Sequence, residues 1–122
     1  MPDGESMNDL SKALGRLRKE PSYAAYASAS NLIEESTNEH AREFRVAILR
    51  NVTIEPLLPV ISGEIALLGM QPSIYIGGFD AIAEDIFDPD SAFCNHKADI
   101  VILFQWLELI SPVLQNEIFS LG

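Results

Sequence analysis

The sequence predicts an α/β fold in which a Rossmann-like or flavodoxin-like parallel sheet follows an N-terminal helical arm. Three short apolar runs, at residues 44–49, 73–76 and 99–104, are rich in β-forming residues. The first is typical of a strand that is buried on both faces of a parallel sheet. Helical patterns separate the runs, and strands that alternate with helices imply parallel strands joined by right-handed crossovers.

The composition fits one globular domain or part of a larger one. The chain has 122 residues, of which 48% are hydrophobic and 21% charged, and a net charge of −10. This negative charge excludes nucleic acids and anionic membranes as expected partners. The N-terminus lacks the features of a signal peptide, and no window reaches the roughly 18 uninterrupted apolar residues of a membrane span. We therefore expect a cytoplasmic protein.

Residues 7–36 are predicted to form the helical arm, after a disordered start at residues 1–6. Asn8 or Asp9 is placed to cap a first helix that stops before Pro21. A second helix then begins at Pro21 and Ser22. Its partly apolar stripe either packs on the following α/β unit or docks another protein or another copy of this chain. The members of the stripe are Tyr23, Tyr26, Ala27, Ser30 and Leu32 or Ile33.

A polar linker at residues 37–43 leads into a partial α/β domain at residues 44–122. Within this domain, Thr53 is placed to cap a helix that Gly69 ends. Another helical segment, interrupted at Pro112, follows the third strand. Because only three strands are visible and such sheets usually have about five or six, the sheet is predicted to be truncated. We expect the isolated chain to be weakly stable or to self-associate through the apolar surface that truncation exposes.

The candidate ligand cleft lies at the carboxyl ends of the first and third strands. In an open parallel sheet, ligands collect at the point where the strand order reverses, which lies between these strands if the order is 2-1-3. The polar residues that leave them are Asn51, Thr53, Glu55, Gln105 and Glu108.

The sequence contains no assembled catalytic or metal-binding set. The turn after the first strand lacks the glycines of a dinucleotide site and the lysine of a phosphate loop. Asp88 and Asp90 do not follow a buried strand, so they indicate a turn and a helix cap. Cys94, His40 and His96 do not have the spacing of metal ligands. We predict no metal and no cofactor in this chain.

Most of the chain resembles the N-terminal region of FkbH-like proteins, which form subfamily IIIC of the haloacid-dehalogenase (HAD) superfamily. The resemblance runs from "LSKALGRLRKEPSYAAYASASNLIEE" through "RVAILRNVTIEPLLPV" to "KADIVIL". Its specific elements are the "FTIEPL"-like segment Val52–Leu57, the strand end "YIGGF" at 75–79, and the "ILDPDS"-like turn at 86–91, where Phe87 replaces leucine.

The resemblance implies a domain similar to SGNH hydrolases, followed in the family by a phosphatase domain that carries an Asp-x-Asp motif. Some members load a glyceryl unit from a phosphorylated three-carbon metabolite onto an acyl carrier protein for polyketide biosynthesis, and others belong to polysaccharide loci. The implied partner is therefore an acyl carrier protein. Magnesium is implied only for the downstream phosphatase domain.

The catalytic residues of SGNH enzymes do not carry over to this sequence. The Gly-Asp-Ser position falls on Arg50, Asn51 and Val52, so a valine replaces the nucleophile. The Gly-x-Asn-Asp position falls on residues 105–108, "QWLE", and the late Asp-x-x-His block has no counterpart here. We therefore expect a scaffold or a carrier-recognition domain without catalytic activity of its own. The alternatives are a stand-alone ligand-binding or hydrolase-like protein and an interaction module that uses the helical arm.

Overall fold

A computed structural model describes residues 4–36 and 41–106, with side chains from residue 8 onward. It confirms the α/β class, with a three-stranded parallel sheet and N-terminal helices. Across these residues, no helix is both long and apolar enough to cross a membrane. The elements in chain order are α1 (Gly4–Lys19), α2 (Tyr23–Glu35), β1 (Glu43–Arg50), a 3-10 helix (Glu55–Leu57), α3 (Leu58–Leu67), β2 (Gln71–Ile76), α4 (Ile82–Phe87), α5 (Ala92–His96) and β3 (Ile100–Phe104).

The sheet has the strand order β2-β1-β3, which is the order that the predicted cleft requires. β1 and β3 pair in parallel, from Val46 opposite Ile100 to Arg50 opposite Phe104. The central strand β1 is buried from Val46 to Leu49, as its continuous apolar run predicts. β3 is just as apolar in sequence, yet Ile100, Val101 and Leu103 are exposed.

The chain forms two compact units that interleave along the sequence. The first comprises Met1–Phe44 and Glu55–Ser73, and the second comprises Arg45–Ile54 and Ile74–Gly122. Among the described residues, the first unit therefore contains α1, α2 and α3, whereas the second contains most of the sheet with α4 and α5. The helical arm thus shares a unit with the helix that follows β1.

Within the first unit, α2 packs against both α1 and α3. A Cβ added to Gly63 of α3 would lie 2.6 Å from Cδ1 of Tyr26, so the tyrosine ring rests directly on the glycine backbone. The buried side chains of α2 are Ala29 and Ile33. The predicted stripe was therefore partly wrong, since it omitted Ala29 and included Tyr23, which is 57% exposed. Two partner helices, rather than one apolar stripe, decide which side of α2 is buried.

Two of the predicted helix starts were wrong, and one is confirmed. Asn8 and Asp9 do not cap α1, because this helix begins at Gly4. Thr53 does not cap α3, because the 3-10 helix separates them and the cap position is Leu57, which makes no side-chain cap hydrogen bond. The predicted helix start at Pro21 and Ser22 is confirmed by α2, which begins at Tyr23; Ser22 is its cap residue, and its hydroxyl oxygen accepts the backbone N–H of Ala25 at 3.2 Å.

The end of α3 forms as predicted at Gly69. The glycine has a φ of +80°, which a residue with a Cβ adopts only with strain. Its N–H donates to the carbonyl of Ala66, and the N–H of Met70 donates to the carbonyl of Ile65. This pair of bonds is the Schellman arrangement, which satisfies the last carbonyls of the helix and turns the chain toward β2.

Candidate functional site

Backbone hydrogen bonds join the carboxyl ends of the strands in the second unit. The N–H of Asn51 donates to the carbonyl of Phe104 at 3.0 Å, just beyond the paired part of β1 and β3. On the other side of β1, the N–H of Gly77 donates to Ile48 at 2.8 Å and that of Asp80 donates to Arg50 at 3.0 Å. At the sheet edge where a ligand was predicted to bind, the end of β1 is therefore hydrogen-bonded to the ends of both β2 and β3.

The side chain of Asn51 links the ends of β1 and β3. Its Oδ1 accepts the backbone N–H of Trp106 at 2.9 Å, and its Nδ2 donates to the carbonyl of Trp106 at 3.4 Å. Asn51 is only 3% exposed. Pairing both ends of this buried amide with backbone groups stabilises the strand ends, because the Asn51 amide would otherwise be desolvated without a partner.

The other predicted cleft residues are placed differently from Asn51. Thr53 and Gln105 belong to the second unit and are exposed. Glu55 is also exposed, but it belongs to the first unit. Glu108 lies outside the described residues. A ligand-binding role for this set remains a prediction.

Arg50 forms a further link at the same edge. Its Nε donates to the carbonyl of Gly77 at 3.2 Å, so the last residue of β1 reaches the end of β2. The neighbouring Asn51 reaches the end of β3. Arg50 and Asn51, two consecutive polar residues, thus connect the carboxyl end of the central strand to both of its neighbours. These bonds account for polar residues at the end of such an apolar strand.

A Tyr75–Asp85 pair lies at the end of β2, and the sequence analysis did not single it out. The hydroxyl of Tyr75 donates to the Asp85 carboxylate, with oxygen distances of 3.1 and 3.2 Å. A Cβ on Gly77 would lie 2.9 Å from Oδ2 of Asp85 and 3.0 Å from Cδ2 of Leu49, so the glycine makes room for the carboxylate. Gly77 directly after an apolar strand was the available sign of such a close approach.

This environment raises the pKa of Tyr75 above its ordinary value. Burial of the phenol is the largest cause, followed by the hydrogen bond to Asp85 and then by the negative charge of that carboxylate. All three favour the protonated phenol, which is the form that can donate to Asp85. The protonated phenol is therefore suited to holding α4 beside β2 through its hydrogen bond to Asp85.

The segment from Asp88 to Cys94 is a turn and a helix cap, as predicted. Oδ1 of Asp88 accepts the backbone N–H of Asp90 at 2.9 Å, and both aspartates are exposed. The hydroxyl of Ser91 donates to the carbonyl of Asp85 at 2.7 Å and accepts the N–H of Cys94 at 3.1 Å, which caps α5. Neither aspartate ends a buried strand, as the phosphatase chemistry would require.

Cys94 and His96 also lie in this part of the second unit. The thiol of Cys94 contacts the carbonyl of Asp85 at 3.7 Å, and the His96 ring lies 6.0 Å from the Tyr75 ring, centre to centre. Over residues 4–36 and 41–106, no three histidine, cysteine, aspartate or glutamate side chains converge to hold a metal ion.

Nucleophilic acyl transfer needs a hydroxyl or thiol with an adjacent base and an oxyanion site. The nucleophile position implied by the family resemblance is Val52, which has neither group. The amide of the preceding Asn51 is already paired with the backbone of Trp106. The strand ends therefore have the hydrogen bonding of a structural edge.

No family model and no curated protein matches this chain. Among solved structures, it is similar to the N-terminal part of the protein BF1531 from Bacteroides fragilis, which contains a phosphatase domain complexed with Mg. The TM-score is 0.59, the sequence identity is 19%, and the match covers 70% of this chain but 22% of the other. At this identity the likeness shows the fold, and the match spans about a fifth of the length of that solved chain.

Proposed function

We propose that this chain is the non-catalytic N-terminal recognition domain of an FkbH-like HAD phosphatase or glyceryl transferase. Its role is to bind an acyl carrier protein while a downstream domain loads a glyceryl unit in polyketide or polysaccharide biosynthesis. The observation that carries the proposal is the fold, which is similar to the N-terminal part of a protein that contains a phosphatase domain.

The hydrogen bonding at the sheet edge supports a non-catalytic role. Asn51 is buried, whereas the other candidate cleft residues in the described ranges are exposed. The oxygen and the nitrogen of its amide both form hydrogen bonds with the Trp106 backbone. Val52 stands where a hydrolase of this type needs its hydroxyl. A domain of this kind is better suited to presenting a surface than to acyl transfer, because transfer needs a nucleophile and a base.

The magnesium that the parent family uses is assigned to the downstream domain. A phosphatase of this class needs carboxylates at the end of a buried strand, where the metal and the phosphate are enclosed. Asp88 and Asp90 form the only Asp-x-Asp pair in the sequence, and both are exposed in a turn. They do not fit a magnesium site.

The proposal is tested first on the coding DNA and then on the purified chain. We expect the reading frame to continue past the Gly122 codon into a hydrophobic strand that ends in Asp-x-Asp. We also expect the chain to bind a holo acyl carrier protein in isothermal titration calorimetry while hydrolysing neither p-nitrophenyl acetate nor p-nitrophenyl phosphate. A frame without that motif, together with no carrier binding, would remove the proposed role.

A further inference from the structure

Helix α1 carries half of the positive charge of a strongly acidic chain. The sequence has eight lysines and arginines against 18 aspartates and glutamates, and four of the eight lie within α1 at Lys12, Arg16, Arg18 and Lys19. Arg18 has a structural role, since its guanidinium donates to the carbonyl of Leu67 at 3.1 Å, at the end of α3. The other three require a different explanation.

Lys12, Arg16 and Lys19 form a basic stripe on the outer side of α1. At about 100° per residue, the three lie within about 60° of one another and on the opposite side from Leu17, which is buried. The stripe is about 10 Å long, which is two helical turns. All three side chains are exposed, and none forms a hydrogen bond or ion pair with another residue in the described ranges.

Gly15 lies beside the basic stripe, about 40° around the helix from Lys19, and the fold of this chain does not require a glycine there. A Cβ added to Gly15 would meet no atom within 4 Å, and the residue lies in the interior of α1 without a positive φ. Alanine at such a position favours the helix, so the glycine weakens α1 without an internal benefit. Its effect is to leave space along one edge of the stripe.

The space at the stripe is a shallow depression of about 420 Å³. It is lined by Lys12, Gly15, Arg16, Lys19 and Glu20. A second depression of about 340 Å³ shares Arg16 and Glu20 with it and extends to the start of α2 at Ser22. Both depressions lie within the first unit, and together they form one continuous outer surface with three cations and one carboxylate.

We propose that the basic stripe with Gly15 is the docking surface for an acidic helix of a partner protein. Carboxylates at positions i, i+4 and i+7 of a facing helix have the same pitch as Lys12, Arg16 and Lys19. Gly15 lets the backbone of that helix approach closely, as small residues do where helices cross. The complementary charge steers the acidic partner to this face of a chain that otherwise repels it.

The choice of partner rests on the proposed function, which makes an acyl carrier protein the source of the acidic helix. Membranes and nucleic acids are less suited to the stripe. It offers three cations against a net charge of −10, whereas polyanion binding typically needs a cluster of four or more.

The surface is tested by NMR on the full chain labelled with ¹⁵N. One probe is a holo acyl carrier protein, and the other is a stapled helical peptide with glutamates at i, i+4 and i+7. We expect both probes to shift the amide resonances of residues 12–19 and the matched glutamine peptide to shift none. Arg16→Glu should weaken carrier binding about 3- to 10-fold, as expected for the loss and reversal of one exposed charge pair.

Arg42→Glu is the matched control for Arg16→Glu. Arg42 is exposed and lies outside α1, so its reversal changes the net charge equally without touching the stripe. Equal weakening by the two variants would overturn the proposal, because net charge alone would then explain binding. Gly15→Ala should raise the thermal midpoint of the chain and yet weaken the binding of both probes. Unchanged binding in this variant would also count against the proposal.

The two probes test the docking surface and the proposed function independently of each other. If the peptide binds at residues 12–19 and the carrier protein does not bind, the surface stands and the carrier role fails. If the carrier protein instead shifts amide resonances of the second unit, the carrier role stands and the docking surface is overturned. If RNA or phosphatidylserine vesicles compete with the peptide for this surface, the proposal that a protein helix occupies it is overturned.

Discussion

The buried side chain of Asn51 forms two hydrogen bonds with the backbone of Trp106, accepting its N–H at 2.9 Å and donating to its carbonyl at 3.4 Å. These bonds extend the β1–β3 pairing beyond the strands, at the edge where a parallel sheet usually binds its ligand. An asparagine that follows a central strand is therefore explained here by backbone hydrogen bonding before any ligand is invoked.

Replacing Asn51 with alanine should destabilise the chain by about 1–3 kcal/mol, because two part-buried hydrogen bonds to the Trp106 backbone, each worth about 0.5–1.5 kcal/mol, are lost. Urea unfolding monitored by circular dichroism measures the change. Asn95→Ala is the control, since the Asn95 amide donates to the Asp90 carbonyl at 3.2 Å in an exposed setting. A similar loss in both variants would contradict the structural role of Asn51.

Replacing Gly63 with alanine should destabilise the chain by about 1–3 kcal/mol through overpacking, since the new Cβ would lie 2.6 Å from the Tyr26 ring and 3.3 Å from Leu17. Equilibrium unfolding of Gly63→Ala, Tyr26→Ala and the double variant measures the coupling. We expect the alanine at 63 to cost clearly less once the ring is gone. Additive effects would mean that the ring does not rest on the glycine.

The chain should lose stability in alkaline solution as Tyr26 and Tyr75 ionise. The pKa of Tyr75 is raised by burial and by Asp85, and that of Tyr26 is raised first by its hydrogen bond to Glu64 and then by burial. The unfolded chain releases these protons near pH 10, whereas the folded chain retains them to higher pH. The stabilisation is therefore complete below pH 10 and is lost as the pH rises through the raised values.

Tyrosinate absorbance at 295 nm measures this ionisation directly. Tyr75→Phe should remove one late-titrating group, and Asp85→Asn should move the pKa of Tyr75 back toward its ordinary value, since the carboxylate contributes two of the three causes. An unchanged titration in Asp85→Asn would show that the carboxylate does not act on the phenol. Asp90→Asn is a suitable control, because Asp90 is an exposed carboxylate outside this pair.

The exposed apolar residues of β3 should promote self-association of the isolated chain. Val101 is 45% exposed and Leu103 is 55% exposed, and exposed apolar strands associate readily. Leu103→Lys should lower the apparent mass in size-exclusion chromatography with light scattering at high concentration. Leu57→Lys, at another exposed leucine, is the control. A wild-type chain that remains a monomer across the concentration range would contradict the prediction.

Much of the fold was predictable because its elements are encoded locally. The apolar runs located all three strands to within about two residues, and the alternation with helices predicted parallel pairing. The helix start near Ser22, the cap at Ser91 and the helix end at Gly69 were recognisable, since each depends on one residue and its immediate neighbours. The turn at Asp88 was recognisable for the same reason.

The failures share one physical cause, which is competition between neighbours that are distant in sequence. Nothing in the local pattern distinguishes Ala29 from Tyr23 as a buried position, because burial depends on two other helices. Nor does the pattern show that the 3-10 helix would precede α3, or that Asp85 would pair with Tyr75 across ten residues.

The sequence by itself determined the fold class, the strand positions, the absence of a hydroxyl at the expected nucleophile position and the concentration of positive charge in α1. Only the tertiary structure decided that the Asn51 amide pairs with the Trp106 backbone, that Tyr26 rests on Gly63, and which cations of α1 remain exposed. The physical reason is that strand and helix patterns depend on residues close in sequence, whereas burial and hydrogen-bond partners depend on which distant segments the fold brings together.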